Sequence, residues 1–369
     1  MKQGWEIKTI GDVCYSKSSN VSQNQLEDEV GDYPIFGASG LIKNVSFYHR
    51  DKPYLSIVKD GSGFGRITKM DAFTSVIGTL QYILPNDDID LDYLNFSLMS
   101  VDFKKYVQGA AIPHIYFKDY KNEPFLWMPL PEQKRIVAIL DEAFTAIAKA
   151  KANAEQNLKN AKELFESYLQ GVFENKGDGW EEKTLGEIGK PSMCKRILKN
   201  QTSSTGEIPF YKIGTFGKKP DAFISKEIYN EFRTKYSFPK KGDILISASG
   251  TIGRRVRYDG EPAFFQDSNI VWIDNDEKQV LNDYLYVFYE FCDWQPSKGA
   301  TIARLYNSNL ISIKISFPKS LLEQKNILKK INALSNETKK LEAIYQTKIN
   351  DLEELKKSVL QKAFSGELK

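Results

Sequence analysis

Histidine is nearly absent from this chain of 369 residues: His49 and His114 are the only two. That is too few for a histidine-based metal site. Cysteine is almost as scarce. Cys14, Cys194 and Cys292 lie far apart with no Cys-x-x-Cys pair, which argues against a disulfide framework or a zinc site and suits a reducing, cytoplasmic setting. No apolar run reaches the ~18 residues of a membrane span. The opening Met1-Lys2-Gln3-Gly4-Trp5-Glu6 lacks the apolar stretch of a signal peptide. Charge of one sign is not in excess either: 51 Lys and Arg stand against 48 Asp and Glu. The whole-chain balance therefore does not announce a nucleic-acid partner, and local clusters must make that case.

Catalytic signatures are missing too. The chain has no Gly-x-Ser-x-Gly elbow, no His-Glu-x-x-His and no carboxylate–lysine nuclease cluster. Asn122-Glu123-Pro124-Phe125 comes near the Asn-Pro-Pro-Phe/Tyr motif of amino-methyltransferases, but one proline is missing and no glycine-rich cofactor strand lies upstream. The equivalent stretch of the second half, Ile311-Ser312-Ile313-Lys314-Ile315, has no such motif, so both read as structural strands. Asp243 and Glu123 read as caps or surface charges. The chain is expected to be no catalyst and to bind no metal or cofactor of its own.

What is present is said twice. Gly4-Trp5-Glu6-Ile7-Lys8-Thr9-Ile10-Gly11-Asp12-Val13 returns as Gly179-Trp180-Glu181-Glu182-Lys183-Thr184-Leu185-Gly186-Glu187-Ile188. Pro131-Glu132-Gln133-Lys134 returns as Leu322-Glu323-Gln324-Lys325. Glu163-Leu164, Ser167, Leu169-Gln170 and Phe173 return as Glu354-Leu355, Ser358, Leu360-Gln361 and Phe364. The step between copies is 175 residues at Trp5 and 191 at Gln133, so the middle of the second half carries roughly sixteen extra residues. A repeat this long is a duplicated domain; solenoid periods run roughly 20–50 residues. Two similar but unequal domains suit an asymmetric, two-part target.

Residues 1–128 alternate short apolar runs with Gly and Pro punctuation, as in Tyr33-Pro34-Ile35-Phe36-Gly37 and Tyr54-Leu55-Ser56-Ile57-Val58, the pattern of strands. Asp90 to Val107 reads as a helix. The second half repeats the order, with strands at Ile208–Tyr211, Asp243–Ser247 and Asn269–Ile273 and a helix from Asn282 through Phe291. After Pro129 and Pro131 the texture changes. Ile136, Leu140, Ala143, Ile147, Ala150, Ala154, Leu158, Ala161, Phe165, Tyr168 and Val172 fall mostly three or four apart, and so do Ile327, Ile331, Leu334, Thr338, Leu341, Tyr345, Leu352, Leu355 and Val359. Both are coiled-coil seams. Each run of about 45 residues makes a helix of ~65 Å. Matched lengths favour pairing within the chain over a zipper between two copies. The expected fold is α+β: two similar mixed α/β domains, 1–128 and 178–318, separated by two long helices, 129–177 and 319–369, that form an intramolecular antiparallel coiled coil.

Gly61-Ser62-Gly63-Phe64-Gly65-Arg66 is matched by Ser247-Ala248-Ser249-Gly250-Thr251-Ile252-Gly253-Arg254-Arg255. Neither fits a phosphate loop, and neither opens a long helix. Two readings stay open: a tight turn between strands, or a turn that presents Ser, Thr and Arg to a DNA groove. The Arg254-Arg255-Val256-Arg257 cluster supports the second, because Arg pairs with phosphates and guanine edges. Candidate contacts are Ser62, Phe64 and Arg66, and in the second half Ser247, Ser249, Thr251, Arg254, Arg255 and Arg257. Lysines gather beside the turn-rich segments, at Lys195, Lys199, Lys218-Lys219 and Lys240-Lys241 among others, as a collective basic face. Lys43, Lys59, Lys69 and Lys212 join the candidates.

Taken together, the repeated Gly-Trp heads, the Asp243–Arg254 stretch, Gly109-Ala110-Ala111-Ile112-Pro113, Gly299-Ala300-Thr301-Ile302-Ala303-Arg304 and the two Glu-Gln-Lys helix starts resemble the specificity subunit of Type I restriction–modification systems. The resemblance covers the whole chain. It departs where the second copy lacks a proline before Glu323-Gln324 and where the first turn reads Gly-Ser-Gly-Phe-Gly. It implies two target-recognition domains, each reading half of a bipartite double-stranded DNA sequence, and adds His114, Tyr116, Arg304 and Tyr306 to the candidate contacts. It implies a coiled coil that fixes the separation of the half-sites. It also implies two methyltransferase subunits that modify adenine with S-adenosylmethionine, and restriction subunits that use ATP and Mg. A self-contained methyltransferase or nuclease, and a coiled-coil adaptor without a DNA role, are the alternatives; methyl transfer by the isolated chain, or absence of sequence-specific binding, would mark them.

Overall fold

The computed structural model describes residues 4–109, 111–174, 176–294 and 303–367. The chain divides into two compact units, one of residues 1–157 with 344–369 and one of residues 158–343.

In the first unit, β1 (Glu6–Thr9), α1 (Ile10–Val13) and β2 (Cys14–Ser18) are followed by β3 (Tyr33–Gly37), β4 (Gly40–Val45), β5 (Tyr54–Val58), β6 (Ile67–Met70), β7 (Ser75–Val76) and β8 (Leu80–Pro85). Then come α2 (Leu91–Met99), α3 (Phe117–Tyr120), β9 (Pro124–Trp127) and the start of α4 (Leu130–Glu174). An antiparallel sheet runs β2-β8-β5-β6; a smaller one runs β4-β3-β7, with β3 and β7 parallel; β1 pairs with β9. Strand β5 shows why this is a two-core domain. All five of its residues are buried, and alternate side chains leave opposite faces of a sheet. Leu55 and Ile57 enter a core shared with α2 and the ends of both long helices. Tyr54 and Val58 enter a second core under the smaller sheet.

The second unit repeats this plan with β10 (Trp180–Thr184), α5 (Leu185–Ile188), β11 (Gly189–Ser192), β12 (Ile208–Tyr211), β13 (Phe223–Ile224), α6 (Lys226–Lys235), β14 (Ile244–Ser247), β15 (Arg255–Arg257), β16 (Phe264–Phe265) and β17 (Ile270–Asn275). It ends in α7 (Asn282–Phe288), α8 (Asn307–Ser312), β18 (Lys314–Pro318) and α9 (Leu321–Phe364). The sheets are β11-β17-β14-β15, β13-β12-β16 with β12 and β16 parallel, and β10-β18. Strand β14 divides its side chains in the same way: Ile244 and Ile246 enter one core, Leu245 the other. The extra residues of this half lie between β12 and β14. Some widen the β12–β13 connection, where β3 and β4 turn directly from Gly37 to Gly40; most form α6, which has no counterpart in the first unit.

Both expected domain helices are shorter than the sequence pattern. Helix α2 stops at Met99, and the Asp102 carboxylate accepts from Lys104 N to open a separate turn. Ile311 and Ser312 finish α8, so the strand starts only at Lys314.

The helix seams bury within each unit. In the first, Ile136, Leu140, Ile147 and Ala154 of α4 and Leu360 and Ala363 of α9 are buried, and Lys151 pairs with Glu353. The two helices are thus antiparallel there. In the second, Leu169 is buried on α4, and Leu328, Ile331 and Thr338 on α9. Two expected seam residues stand outside: Leu341 is 42% exposed and Leu355 47%. The half-buried positions near the C-terminus are Tyr345, Ile349, Leu352, Lys356 and Val359, in steps of four and three. That heptad leaves Leu355 one residue off the seam. Lys356 takes the position instead, its ammonium 5.0 Å from the Phe144 ring, with its aliphatic stem covering apolar surface.

Candidate nucleic-acid interface

In each unit the central strand of the larger sheet leads into a glycine turn. Gly65 N–H donates to Val58 O at 2.9 Å, and Gly253 N–H to Ser247 O at 3.0 Å. Both glycines have positive φ, +79° and +80°, a region that side chains rarely adopt. A Cβ on Gly65 would meet Phe103 at 2.9 Å; one on Gly253 would meet Trp294 at 2.2 Å. The repeated glycine is therefore required twice over, by conformation and by an aromatic ring packed against it.

Two further segments converge on each turn. In the first unit, Gly61 N–H donates to Pro113 O and Ile115 N–H to Lys59 O, both at 2.9 Å, and His114 bridges Asp60. In the second, Leu305 N–H donates to Ala248 O at 2.8 Å and Arg304 bridges Ser249. Asn269 Oδ1 accepts from Ser249 Oγ at 2.8 Å and from Arg304 Nη2 at 3.0 Å. The third segment is the connection of the smaller sheet. The Arg66 guanidinium donates to Ala38 O, and Arg254 Nη1 to Phe216 O at 3.1 Å. One arginine, at the same place in both turns, ties the two sheets together and has N–H groups left over.

Ser62, Arg66, Tyr116, Thr251 and Tyr306 are exposed at this convergence, and His114, Arg254 and Arg304 are half-buried. Tyr116 stands edge-on to His114, with centroids 4.8 Å apart, and Lys118 Nζ lies 5.1 Å from its ring. A cleft of about 240 Å³ lies beside the first turn, and one of about 250 Å³ lies against the β12–β13 connection and β15 in the second unit. Their linings differ: the first mixes Ser39, Ser56, Arg66 and Thr68 with Phe36 and Met70, and the second joins the aromatic Tyr211, Phe216 and Tyr258 to the charged Lys218, Arg257 and Glu261.

Other sequence candidates are engaged elsewhere. The Ser247 hydroxyl donates to Thr251 O, accepts from Arg254 N at 2.9 Å and is buried, so it staples the turn. Phe64 packs on the first core. Lys43 Nζ donates to Leu26 O at 2.8 Å and Glu27 O at 3.2 Å. Lys59 lies 3.7 Å from Asp60, and Lys212 2.9 Å from Asp221. Lys69 pairs with Asp92 at 2.7 Å and Arg257 with Asp283 at 2.7 Å, the same strand-to-helix clasp in both units. Arg255 pairs with Glu290 and lies over Tyr286. Arg255 and Arg257 share one face of β15, and Val256 takes the other, so the run of arginines is split by strand alternation. Ala110 and residues 299–302 of the two Gly-Ala motifs lie outside the described residues.

Ala38, Phe216 and Asn269 carried no sequence signal, since backbone carbonyls and a lone amide are visible only once the chain is folded. Asp243 accepts from Lys240 N at 2.7 Å and Glu123 accepts from Tyr106, so both carboxylates serve local structure. Burial pushes the thiols of Cys14, Cys194 and Cys292 up to about 12, which keeps them in the thiol form near neutral pH. No helix among the described residues is long and apolar enough to cross a membrane.

A family model of the Type I restriction modification DNA specificity domain matches residues 2–159 and again 177–354. The two matches span most of the chain, which belongs to the family of Type I restriction–modification specificity subunits. A putative type I restriction enzyme specificity subunit of Haemophilus influenzae is 42% identical over 320 residues, covering 83% of this chain and 82% of that protein. A type I restriction enzyme specificity subunit of Methanocaldococcus jannaschii is 25% identical, covering 100% of this chain and 93% of that one. The HsdS subunit from Thermoanaerobacter tengcongensis shares the fold, with a TM-score of 0.64 at 17% identity, covering 100% and 98% of the two chains. So does a structure from work on assembly and conformational transition of the type I R-M system, with a TM-score of 0.75 at 17% identity, covering 100% and 99%.

Proposed function

We propose that each domain reads one half of an asymmetric bipartite DNA target, and that the chain directs adenine methylation and cleavage performed by partner subunits. The observation that carries this reading is the convergence of the same three segments at the same place in both units, with different side chains around it. An equal scaffold with unequal edges gives two different half-sites. Arg66, His114 and Tyr116 are the first reader's contacts; Thr251, Arg254, Arg304 and Tyr306 are the second's. Arginine forks onto guanine edges or phosphates, and the tyrosines offer flat faces and a hydroxyl. S-adenosylmethionine, ATP and Mg serve the methyltransferase and restriction subunits, which act with this chain in the cytoplasm. Leu164 on α4 and Leu355 on α9 are exposed and give the helices apolar points for those subunits.

Replacing residues 1–128 with the equivalent domain of a relative tests the reading. Methylated sites, mapped by long-read sequencing, should change in one half of the motif only. A change in both halves, or in neither, contradicts it.

A further inference from the structure

At the turn, the two candidate readers differ in the connection that the arginine grips. In the first unit this is the tight Ala38-Ser39 turn, which is uncharged. In the second it runs from Lys212 to Ala222 and carries Lys218 and Lys219 at its outer side, both exposed. Among the described residues neither lysine forms an ion pair; Asp259 and Glu261 line the same cleft as Lys218, and Lys219 is not among that cleft's lining residues. Other basic groups of this unit are paired: Lys212 with Asp221, Arg196 with Asp267, Arg255 with Glu290 and Arg257 with Asp283.

The loop is built to hold its shape. Phe216 is buried, its carbonyl accepts from Arg254, and a Cβ on Gly217 would lie 3.3 Å from Val256 Cγ2. Lys212 O accepts from Thr215 N at 3.0 Å, Thr215 O accepts from Lys218 N at 2.9 Å, and the Lys212–Asp221 pair closes the base. Ile213 N–H donates to Gln266 Oε1 at 2.9 Å. A preorganised loop loses little entropy on binding. Two exposed ammonium groups on this loop suit a polyanion rather than a base edge, because lysine is a strongly hydrated point charge.

We infer that Lys218 and Lys219 form a phosphate clamp that the first domain lacks, so that the second domain grips the DNA backbone flanking its half-site through two additional contacts. This rests on the DNA-reading proposal above. The clamp makes the two halves unequal in electrostatics as well as in sequence. Binding through the second domain is the more salt-dependent, because each neutralised phosphate adds ~0.9 to the slope of log K against log salt.

The test uses the full chain with its methyltransferase subunits and a duplex carrying the motif found methylated in cells. Binding is measured from low to moderate salt for the wild type, for Lys218→Ala with Lys219→Ala, and for Lys218→Gln with Lys219→Gln. Both double variants should flatten the slope by about two and leave the methylated motif unchanged. Phosphate-ethylation interference should disappear at two positions, both beside the half-site that the 1–128 swap leaves unaltered. An unchanged slope with specific binding intact overturns the clamp, and so does a changed base preference, which would make the lysines base readers. A wild-type complex with no specific binding would instead remove the reading beneath it.

Discussion

The residue that best explains the repeat is a glutamine. Gln133 and Gln324 are fully buried, one turn into the two long helices. Gln133 Oε1 accepts from Asp90 N at 2.8 Å, while Nε2 donates to Asp88 O at 3.0 Å and Met128 O at 2.7 Å. Gln324 makes the same three bonds, to Leu281 N, Gln279 O and Pro318 O, at 2.7 to 2.9 Å. Each amide therefore joins the long helix to the strand before it and to the head of the short domain helix. The sequence shows Glu-Gln-Lys twice but gives no reason for it; the reason is that only an amide both accepts and donates at that point. Gln133→Ala leaves one buried N–H and two carbonyls without partners. It should cost about 1–3 kcal/mol, read as a lower denaturation midpoint of the first unit. Gln133→Glu should not restore it, since a carboxylate cannot donate. A midpoint equal to wild type for Gln133→Ala would show that the amide bonds contribute nothing net.

At the scale of elements, the period-two runs, the glycine turns and the two long helices were all legible in the sequence, because each rests on local periodicity or backbone sterics. What was not legible is where partners lie across the fold. The arginines at 254, 255 and 257 read as one basic cluster, yet Arg254 binds the β12–β13 connection, while Arg257 pairs with Asp283 of α7 and Arg255 with Glu290 just beyond it. Leu355 fitted an apolar count and missed the heptad. The same pairing refines a test of the helices as a ruler. Lys151 stands opposite Glu353, so a four-residue insertion after Ala150 is matched by one beside Glu353. Each adds one helical turn, ~6 Å. The doubly inserted protein should methylate the same half-sites with one or two more base pairs between them. The single insertion, which breaks heptad phase, should lose stability. Unchanged spacing in a doubly inserted protein that still directs methylation would show that the helices do not set the distance.

At the scale of the whole molecule, the chain is a duplication with divergence. Both units keep the strand order, the turn arginine, the glutamine clasp and the strand-to-helix ion pair. They differ in the connection beside the turn, in α6 and in the side chains that line the two clefts. Duplication explains why the family was legible from a single sequence: a motif that is weak once becomes specific when it recurs in the same order. The bases read were not legible, because readout depends on which side chains reach which edges. The most direct measurement is the methylated-adenine map of cells whose only Type I specificity subunit is this chain. The account predicts one motif with two unlike half-sites, separated by a fixed number of unspecified base pairs. A contiguous or palindromic motif, or a variable gap between the halves, would contradict it.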